Sequence, residues 1–377
     1  MILTESQRAI RDVARAFAQK ELAPFAAERE EKAEIPRSVL RALGELGFMG
    51  MAVPPEYDGA GADNVSYALA LMEIAAGDGA ISTVMSGHNS VGCSIVLQQG
   101  TEPQKQHYLR PMARGEMQSC FCLTEPTGGS DVAAMRSVAT RTATGWRING
   151  QKQFITSGAI ADVALIFAKT DPAAGRRGIS CFILPTTTKG YRVGRREKKM
   201  GQNASDTVEL FFEDMDVPAN ALLGREGEGF RIALSNLVGG RIGIAAQSVG
   251  MARDALERAV AYAKERTSFG TPIINHQAVA FRLADMAASL KAAEMLVLHA
   301  AALADAGQDC LTEASMAKLV SSETAERVCS DAIQTFGGNG YIQEYAVERI
   351  YRAVRVAKIY EGANDIQRLV ISRALAK

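Results

Sequence analysis

The sequence predicts an α+β chain in which helices, strands and helices follow one another in three blocks. Two observations carry this expectation. Apolar residues recur at three- and four-residue spacing before about residue 119 and again after about 223, while the stretch between alternates in the manner of strands. The strands are also grouped instead of alternating with helices, which argues against a doubly wound nucleotide fold. In agreement, no Gly-x-Gly-x-x-Gly follows a strand and no Walker sequence is present. The expected division is 1–118, 119–222 and 223–377.

The first block opens with Thr4 as a cap for a helix carrying Ile10, Val13, Ala14, Phe17 and Ala18, with Pro24 near its end. A second helix holds Val39, Leu40, Leu43 and Leu46 and should stop at Gly47. Pro54, Pro55, Gly59 and Gly61 mark a loop, after which 67–76 and 81–97 read as helical. In the middle block, Asn149-Gly150 lies between two strand-like runs and predicts a two-residue hairpin turn. The runs 163–168, 179–184 and 207–212 read as further strands, and Val217-Pro218 ends the last of them. In the third block, helices are expected over 241–266, over 276–306 with Gly307 as the stop, from a Thr312 cap to Gly337-Gly338, after Tyr341, and through Ile366, Leu369, Val370 and Ile371.

Composition narrows the function classes. The 377 residues can bury a large core without disulfides or metals. Lys plus Arg number 42 and Asp plus Glu number 42, so no long-range field draws the chain to nucleic acid or anionic membrane. The basic run Arg195, Arg196, Lys198 and Lys199 is expected to be a solvated edge. Six cysteines, with no Cys-x-x-Cys pair and only four histidines, read as reduced, mostly buried thiols of a cytoplasmic protein and not as a zinc site. The first residues lack a secretory pattern, and no stretch offers the roughly 20 uninterrupted apolar residues of a membrane span.

Four segments are too particular for scaffold alone. Residues 122–131 (Cys-Leu-Thr-Glu-Pro-Thr-Gly-Gly-Ser-Asp) take a strand into a glycine-rich turn flanked by hydroxyls, suited either to close approach of a flat or anionic ligand or to a tight surface turn. Residues 153–158 read Gln-Phe-Ile-Thr-Ser-Gly, 334–341 read Gln-Thr-Phe-Gly-Gly-Asn-Gly-Tyr, and 359–368 read Ile-Tyr-Glu-Gly-Ala-Asn-Asp-Ile-Gln-Arg. Taken singly, the third is a helix stop and Glu361 a solvated cap residue.

Together, and in this order, the four segments resemble the acyl-CoA dehydrogenase family. The resemblance extends over nearly the whole chain. It adds Met200-Gly201-Gln202 with Ser205-Asp206-Thr207, Gly240-Arg241-Ile242-Gly243-Ile244-Ala245, and Glu265 to Gly270 with His276-Gln277. It implies an N-terminal helical domain, a middle β-barrel, a C-terminal four-helix domain, and FAD held between the last two. By the same resemblance Phe121, Leu123, Thr124, Gly129 and Ser130 lie along one edge of the flavin, with Thr124 bonded to the ring and Ser130 near ring and substrate. Phe154, Ile155 and Thr156 cover the other side; Phe154 stands where the family commonly has Trp, which keeps the apolar lid and loses an N–H donor. Arg266, Ser268, Phe269, Gln277, Gln334, Gly337 and Gly338 resemble residues that reach the FAD of a neighbouring subunit, which implies at least a dimer and commonly a homotetramer built as a dimer of dimers.

The reaction implied is α,β-dehydrogenation of an acyl-CoA, with electrons passing to an electron-transferring flavoprotein. Removing an α-proton from a thioester needs a positioned carboxylate and stabilisation of enolate-like charge. The resemblance gives Glu361 the base role, and places the thioester oxygen on the Glu361 N–H and a ribityl hydroxyl. Gly362, Ser130, Val238 and Arg241 are implied on the substrate side. Some relatives carry the base at the position of Gly240, where this chain has none. Val238 replaces a common Asp, Ala363 a common Thr and Asp365 a common Glu or Gln, the last two near FAD. Segment 87–92 falls on a helix expected to meet the acyl tail, and the overall pattern is most similar to short-chain and branched-chain members of fatty-acid or branched-chain-acid metabolism. The alternatives are a relative that acts as an oxidase or non-redox eliminase on an unusual acyl-CoA, and a non-catalytic flavin-containing binding protein. Glu361 speaks against the nitroalkane-oxidising branch, which carries Asp there. The neutral charge and the lack of an extra basic domain speak against a nucleic-acid-protecting role.

Overall fold

The computed structural model of the protein describes residues 1–376. Helix α1, Glu5–Phe17, begins with a capping box: Gln7 N–H donates to Thr4 Oγ1, and the Gln7 side chain accepts from Thr4 N–H. The chain then passes through a π turn and a 3₁₀ turn at Pro24 into a seven-residue helix. Helices α2, Arg37–Glu45, α3, Asn64–Gly77, and α4, Gly79–Gly87, follow. Helix α4 runs on through a π segment, His88–Cys93, into Ser94–Gln99. Asp78 caps α4 by accepting from Ala80 and Ile81 N–H, and Arg29, buried beside it, donates to Asp78 Oδ2 at 2.8 Å.

Eight strands form one sheet: β1 Ser119–Cys122, β2 Val138–Arg141, β3 Gly145–Thr156, β4 Val163–Lys169, β5 Ile179–Pro185, β6 Tyr191–Arg196, β7 Thr207–Pro218 and β8 Leu222–Leu223. Their order is β6-β7-β3-β2-β4-β5-β8, with β1 parallel to β4. Strand β4 is apolar on both faces because each face meets a separate core. Val163, Leu165 and Phe167 pack toward the helices, and Ala164, Ile166 and Ala168 toward an inner cluster with Trp146, Ile148 and Phe182.

The hairpin expected at Asn149-Gly150 is not there. Strand β3 runs straight through both residues, and the turn joining β2 to β3 lies at 142–144, where Gly145 N–H donates to Thr142 Oγ1. Asn149-Gly150 instead makes an irregularity in the β3–β7 ladder. Glycine is required there by a close approach, since a Cβ at Gly150 would lie 2.2 Å from Ser137 Oγ.

The last block holds α5, Gly229–Glu265, α6, Gln277–Asp305, α7, Leu311–Phe336, α8, Val347–Val354, and α9, Asn364–Leu375. Helix α5 starts well before the expected Arg241 and passes through Gly239-Gly240 unbroken, because tertiary packing against α3 and α7 outweighs the local cost of glycine. Thr312 does not cap α7; it lies inside the helix, and Asp309 Oδ1 accepts from Leu311 N–H instead. Gly307 ends α6 in the left-handed conformation, as expected. The first and third blocks share one core, in which Leu71, Met72 and Ile74 of α3 meet Ile242, Ala246 and Val249 of α5. By length and composition α6 could cross a membrane; its sequence is interrupted by Arg282, Asp285, Lys291 and Glu294, and Leu283, Met286, Leu290 and Val297 are buried. All six cysteines are free and buried. Of the basic run expected to be a solvated edge, Arg195, Arg196 and Lys198 are exposed, whereas Lys199 is half-buried and donates to Ser205 O at 2.7 Å.

Candidate active site

A cavity of about 860 Å³ opens where the sheet, the α4 extension, α5 and the segment 352–366 meet. Its apolar walls and few polar groups suit a large flat ligand and an acyl chain. From the sheet come Phe121, Leu123, Thr124, Gly129 and Ser130 on one side and Phe154, Ile155 and Thr156 on another. From α5 come Leu234, Leu237, Arg241 and Ile244, and from the C-terminal segment Tyr360, Glu361, Gly362 and Ala363. Gly87, His88, Val91 and Gly92 of the expected acyl-tail segment also reach it. Asn89 of that segment does not: its amide ties Phe48 O and Met85 O and takes Met51 N–H.

Two sheet segments of the wall are fixed by a buried ion pair. Lys152 Nζ donates to Glu125 Oε1 at 2.8 Å and to Leu123 O, and Glu125 also accepts from the Arg136 and Ser137 N–H groups. Gln153 N–H donates to Thr124 O at 2.9 Å. Phe154 stands on a left-handed backbone, φ 56°, and the residue is 59% exposed. An L-residue rarely adopts this conformation, yet Phe154, Ser157, Gln202 and Glu361 all do so on the cavity wall, where strain is concentrated at functional sites.

Glu361 sits on a two-residue arch, φ 52° at Glu361 and 88° at Gly362. The arch is pinned on both sides. Tyr360 OH donates to Gln247 Oε1, and Gln247 Nε2 in turn donates to Ser82 Oγ, Thr83 Oγ1 and Gly79 O. Gly362 O accepts from Lys318 Nζ at 2.8 Å and from Gln367 Nε2 at 2.7 Å. The Glu361 Oε2 atom is buried and has no hydrogen-bond partner among the described residues. A Cβ at Gly240 would lie 2.5 Å from it, so the carboxylate occupies the space a side chain there would need.

Burial pushes the Glu361 carboxyl above its ordinary range, while Lys318 and Arg241 pull it back down. Neither cation forms a direct ion pair with it among the described residues. Arg241 donates only to Ser315 Oγ at 3.3 Å, its Nε is unpartnered, and burial lowers its own pKa. The carboxylate is thus near two positive charges without a direct ion pair to either. Burial also raises the Tyr360 phenol to about 12, so it stays a neutral donor.

The remaining expected residues lie away from this cavity. Val238 packs against the helical core, and Asp365, with a side chain 94% exposed, pairs loosely with Arg368; neither belongs to the cavity wall. Arg266, Ser268, Phe269, Gln277, Gln334, Gly337 and Gly338 are also outside it. They flank the C-terminal end of α5, where the Tyr262 ring stacks on Phe336 at 4.2 Å and Tyr262 OH accepts from Asn339 Nδ2. The Phe269 ring, on a left-handed residue, is 97% exposed. Lys318 is the residue the sequence patterns missed: a lysine in a helical stripe reads as surface, and only its burial reveals it.

Three family models cover this chain: the acyl-CoA dehydrogenase N-terminal domain over residues 4–116, the middle domain over 120–215 and the C-terminal domain over 227–376. The chain belongs to the acyl-CoA dehydrogenase family. It is 47% identical over 375 residues to an acyl-CoA dehydrogenase of Bacillus subtilis (strain 168), covering 100% of this chain and 99% of that one. Butyryl-CoA dehydrogenase from Megasphaera elsdenii superposes with a TM-score of 0.98 at 40% identity, covering 100% of both chains. A chain from the structure described as the electron transferring flavoprotein of Acidaminococcus fermentans superposes with a TM-score of 0.98 at 45% identity, covering 100% of this chain and 99% of that one. As a member of this family the protein is an FAD-dependent oxidoreductase acting on acyl-CoA. Its cavity fits the cofactor: an exposed aromatic face at Phe154, the Thr124, Ser130 and Thr156 hydroxyls, and the open backbone at Gly129, where a Cβ would meet nothing closer than 3.7 Å.

Proposed function

We propose that this acyl-CoA dehydrogenase takes short-chain acyl-CoA thioesters and that Glu361 removes the α-proton. The observation that carries the base assignment is the buried, unpartnered Glu361 Oε2 on a strained arch at the cavity wall. Phe121, Leu123, Thr124, Gly129, Ser130, Phe154, Ile155, Thr156 and Ala363 would hold FAD, which when bound supplies the acceptor for the hydride leaving the β carbon. Glu361 accepts the α-proton on its free oxygen. Its backbone N–H, held by the pinned arch, donates to the thioester oxygen and stabilises the enolate-like charge. Arg241 and Lys318 favour the ionised carboxylate before substrate arrives, and the acyl chain, by excluding water, raises its basicity.

The short-chain preference is supported by likeness to the butyryl-CoA dehydrogenase and by the acyl-side wall. There Thr83 and Tyr360 are joined to Gln247 in one polar network instead of leaving an open apolar tunnel. An electron-transferring flavoprotein is the proposed acceptor, in line with the Acidaminococcus fermentans match. The exposed Phe269 and its neighbours support a dimer of dimers in which one subunit completes the FAD site of another, and the protein is assigned to the cytoplasm by its likeness to bacterial enzymes. The division at 118/119 is supported by the change from helices to strands, and the return to helices comes after β8, Leu222–Leu223, just past the 222/223 division.

The test is an anaerobic titration of the yellow holoprotein with acyl-CoAs of graded chain length, following the oxidised flavin band. Bleaching by C4 to C6 thioesters is expected. A best kcat/KM at C12 or longer would refute the short-chain assignment, and no bleaching by any thioester would refute the dehydrogenase assignment.

A further inference from the structure

Among the described residues, the lysines Lys152 and Lys318 are fully buried. Lys152 has a carboxylate partner in Glu125. Among the described residues Lys318 donates only to neutral acceptors, Gly362 O at 2.8 Å and Asn364 Oδ1 at 2.9 Å. A buried ammonium without a contacting anion is costly, so its place calls for a reason beyond packing. Both acceptors belong to the turn immediately after Glu361. Asn364 is held in turn by Ser322 and is the first residue of α9.

We propose that Lys318 is the positioning residue for Glu361: from α7 it locks the strained Glu361–Gly362 arch through Gly362 O and Asn364 Oδ1, and supplies positive charge behind the carboxylate without touching substrate. This rests on Glu361 being the base. A left-handed non-glycine residue such as Glu361 persists only when its surroundings over-determine it, and the Lys318 and Gln367 bonds to the Gly362 carbonyl beside it do this. The groups that face Glu361 are Arg241 from α5, Lys318 from α7, Tyr67 from α3 and Tyr360 beside it. Only the first two are cations, and Arg241 reaches no acceptor on the arch. Burial pushes the Lys318 pKa down to about 8, with Glu361 pulling it up, which leaves it charged at neutral pH.

The experiment compares Lys318→Met, Lys318→Gln and Glu361→Gln holoenzymes. The measurements are FAD content, melting temperature, acyl-CoA affinity, exchange of the α-hydrogen in D2O, and the pH profile of anaerobic flavin reduction. Both Lys318 variants are expected to keep FAD and bind acyl-CoA as the wild type does. Exchange and reduction should slow about 10- to 100-fold, as for a displaced reacting group. The acid limb of the profile should move to higher pH in both, because the favourable charge is lost. Lys318→Gln, which can still donate to the arch, should recover part of the rate and none of the limb. Wild-type rates, a uniform loss with no movement of the limb, or failure of both variants to fold with FAD would each overturn the proposal. If Glu361→Gln stays active, the base assignment itself falls; if it is inactive while the Lys318 variants behave as wild type, only the role of Lys318 falls.

Discussion

Gly239 and Gly240 are adjacent in α5, yet a methyl group added to each should have opposite consequences for the site. At Gly239 a Cβ meets nothing within 4 Å. At Gly240 it would lie 2.5 Å from Glu361 Oε2, whereas contacts under 3.0 Å are essentially never seen, so the carboxylate must retreat by at least about 0.5 Å. Misplacing a reacting group by about 1 Å can cost on the order of 100-fold. Gly240→Ala should therefore slow flavin reduction by roughly 10- to 100-fold. Both positions are helical with ordinary φ, so each substitution should gain up to about 1 kcal/mol from helix propensity. The pair is assayed by stopped-flow reduction with acyl-CoA and by thermal melting of the holoprotein. Expected are two proteins at least as stable as wild type, of which only Gly240→Ala is slow. Reduction by Gly240→Ala within about threefold of wild type would refute the close approach and with it the geometry of the base.

Glu361→Gln should retain FAD and lose α-hydrogen exchange by about 100-fold or more. Because burial raises the Glu361 pKa in the folded state, that carboxyl contributes full stability below its unfolded pKa and loses it as pH rises through the folded value; the melting temperature of Glu361→Gln relative to wild type should therefore climb as pH rises above the ordinary carboxylate range, and a constant difference would contradict the burial argument. Arg29→Ala removes one partner of the buried Arg29–Asp78 pair and should cost about 3–5 kcal/mol in denaturant melts. A loss under about 1 kcal/mol would show the pair to be solvated like a surface bridge. Phe269→Ser changes a ring exposed in the single chain, so folding should be unaffected while FAD is held less tightly in the assembly; unchanged FAD affinity would remove Phe269 from the subunit-bridging role.

The order of blocks, the Thr4 cap, the Gly307 stop and the burial of the cysteines were legible because each depends on residues within a turn or a period of one another. The motifs on the cavity wall were legible for a similar reason: Thr124, Ser130, Phe154, Thr156 and Glu361 stand in short unusual strings. The hairpin at Asn149-Gly150 was misjudged because local turn chemistry was outweighed by pairing of β3 with β7 and by Ser137 filling the place of a Cβ. The early start of α5 was missed because Gly239-Gly240 looks like a breaker until α3 and α7 are packed beside it.

By itself, then, the sequence determined the succession of elements and the chemical types available to the site, since periodicity, caps and short motifs are local. Only the tertiary structure decided which groups meet. Lys318 and Gly362 are 44 residues apart and Gly240 is farther still from Glu361, yet the three converge on one arch. Helix packing, not proximity in the chain, sets burial, and burial is what raises the Glu361 carboxyl and lowers the Lys318 ammonium from their ordinary pKa values.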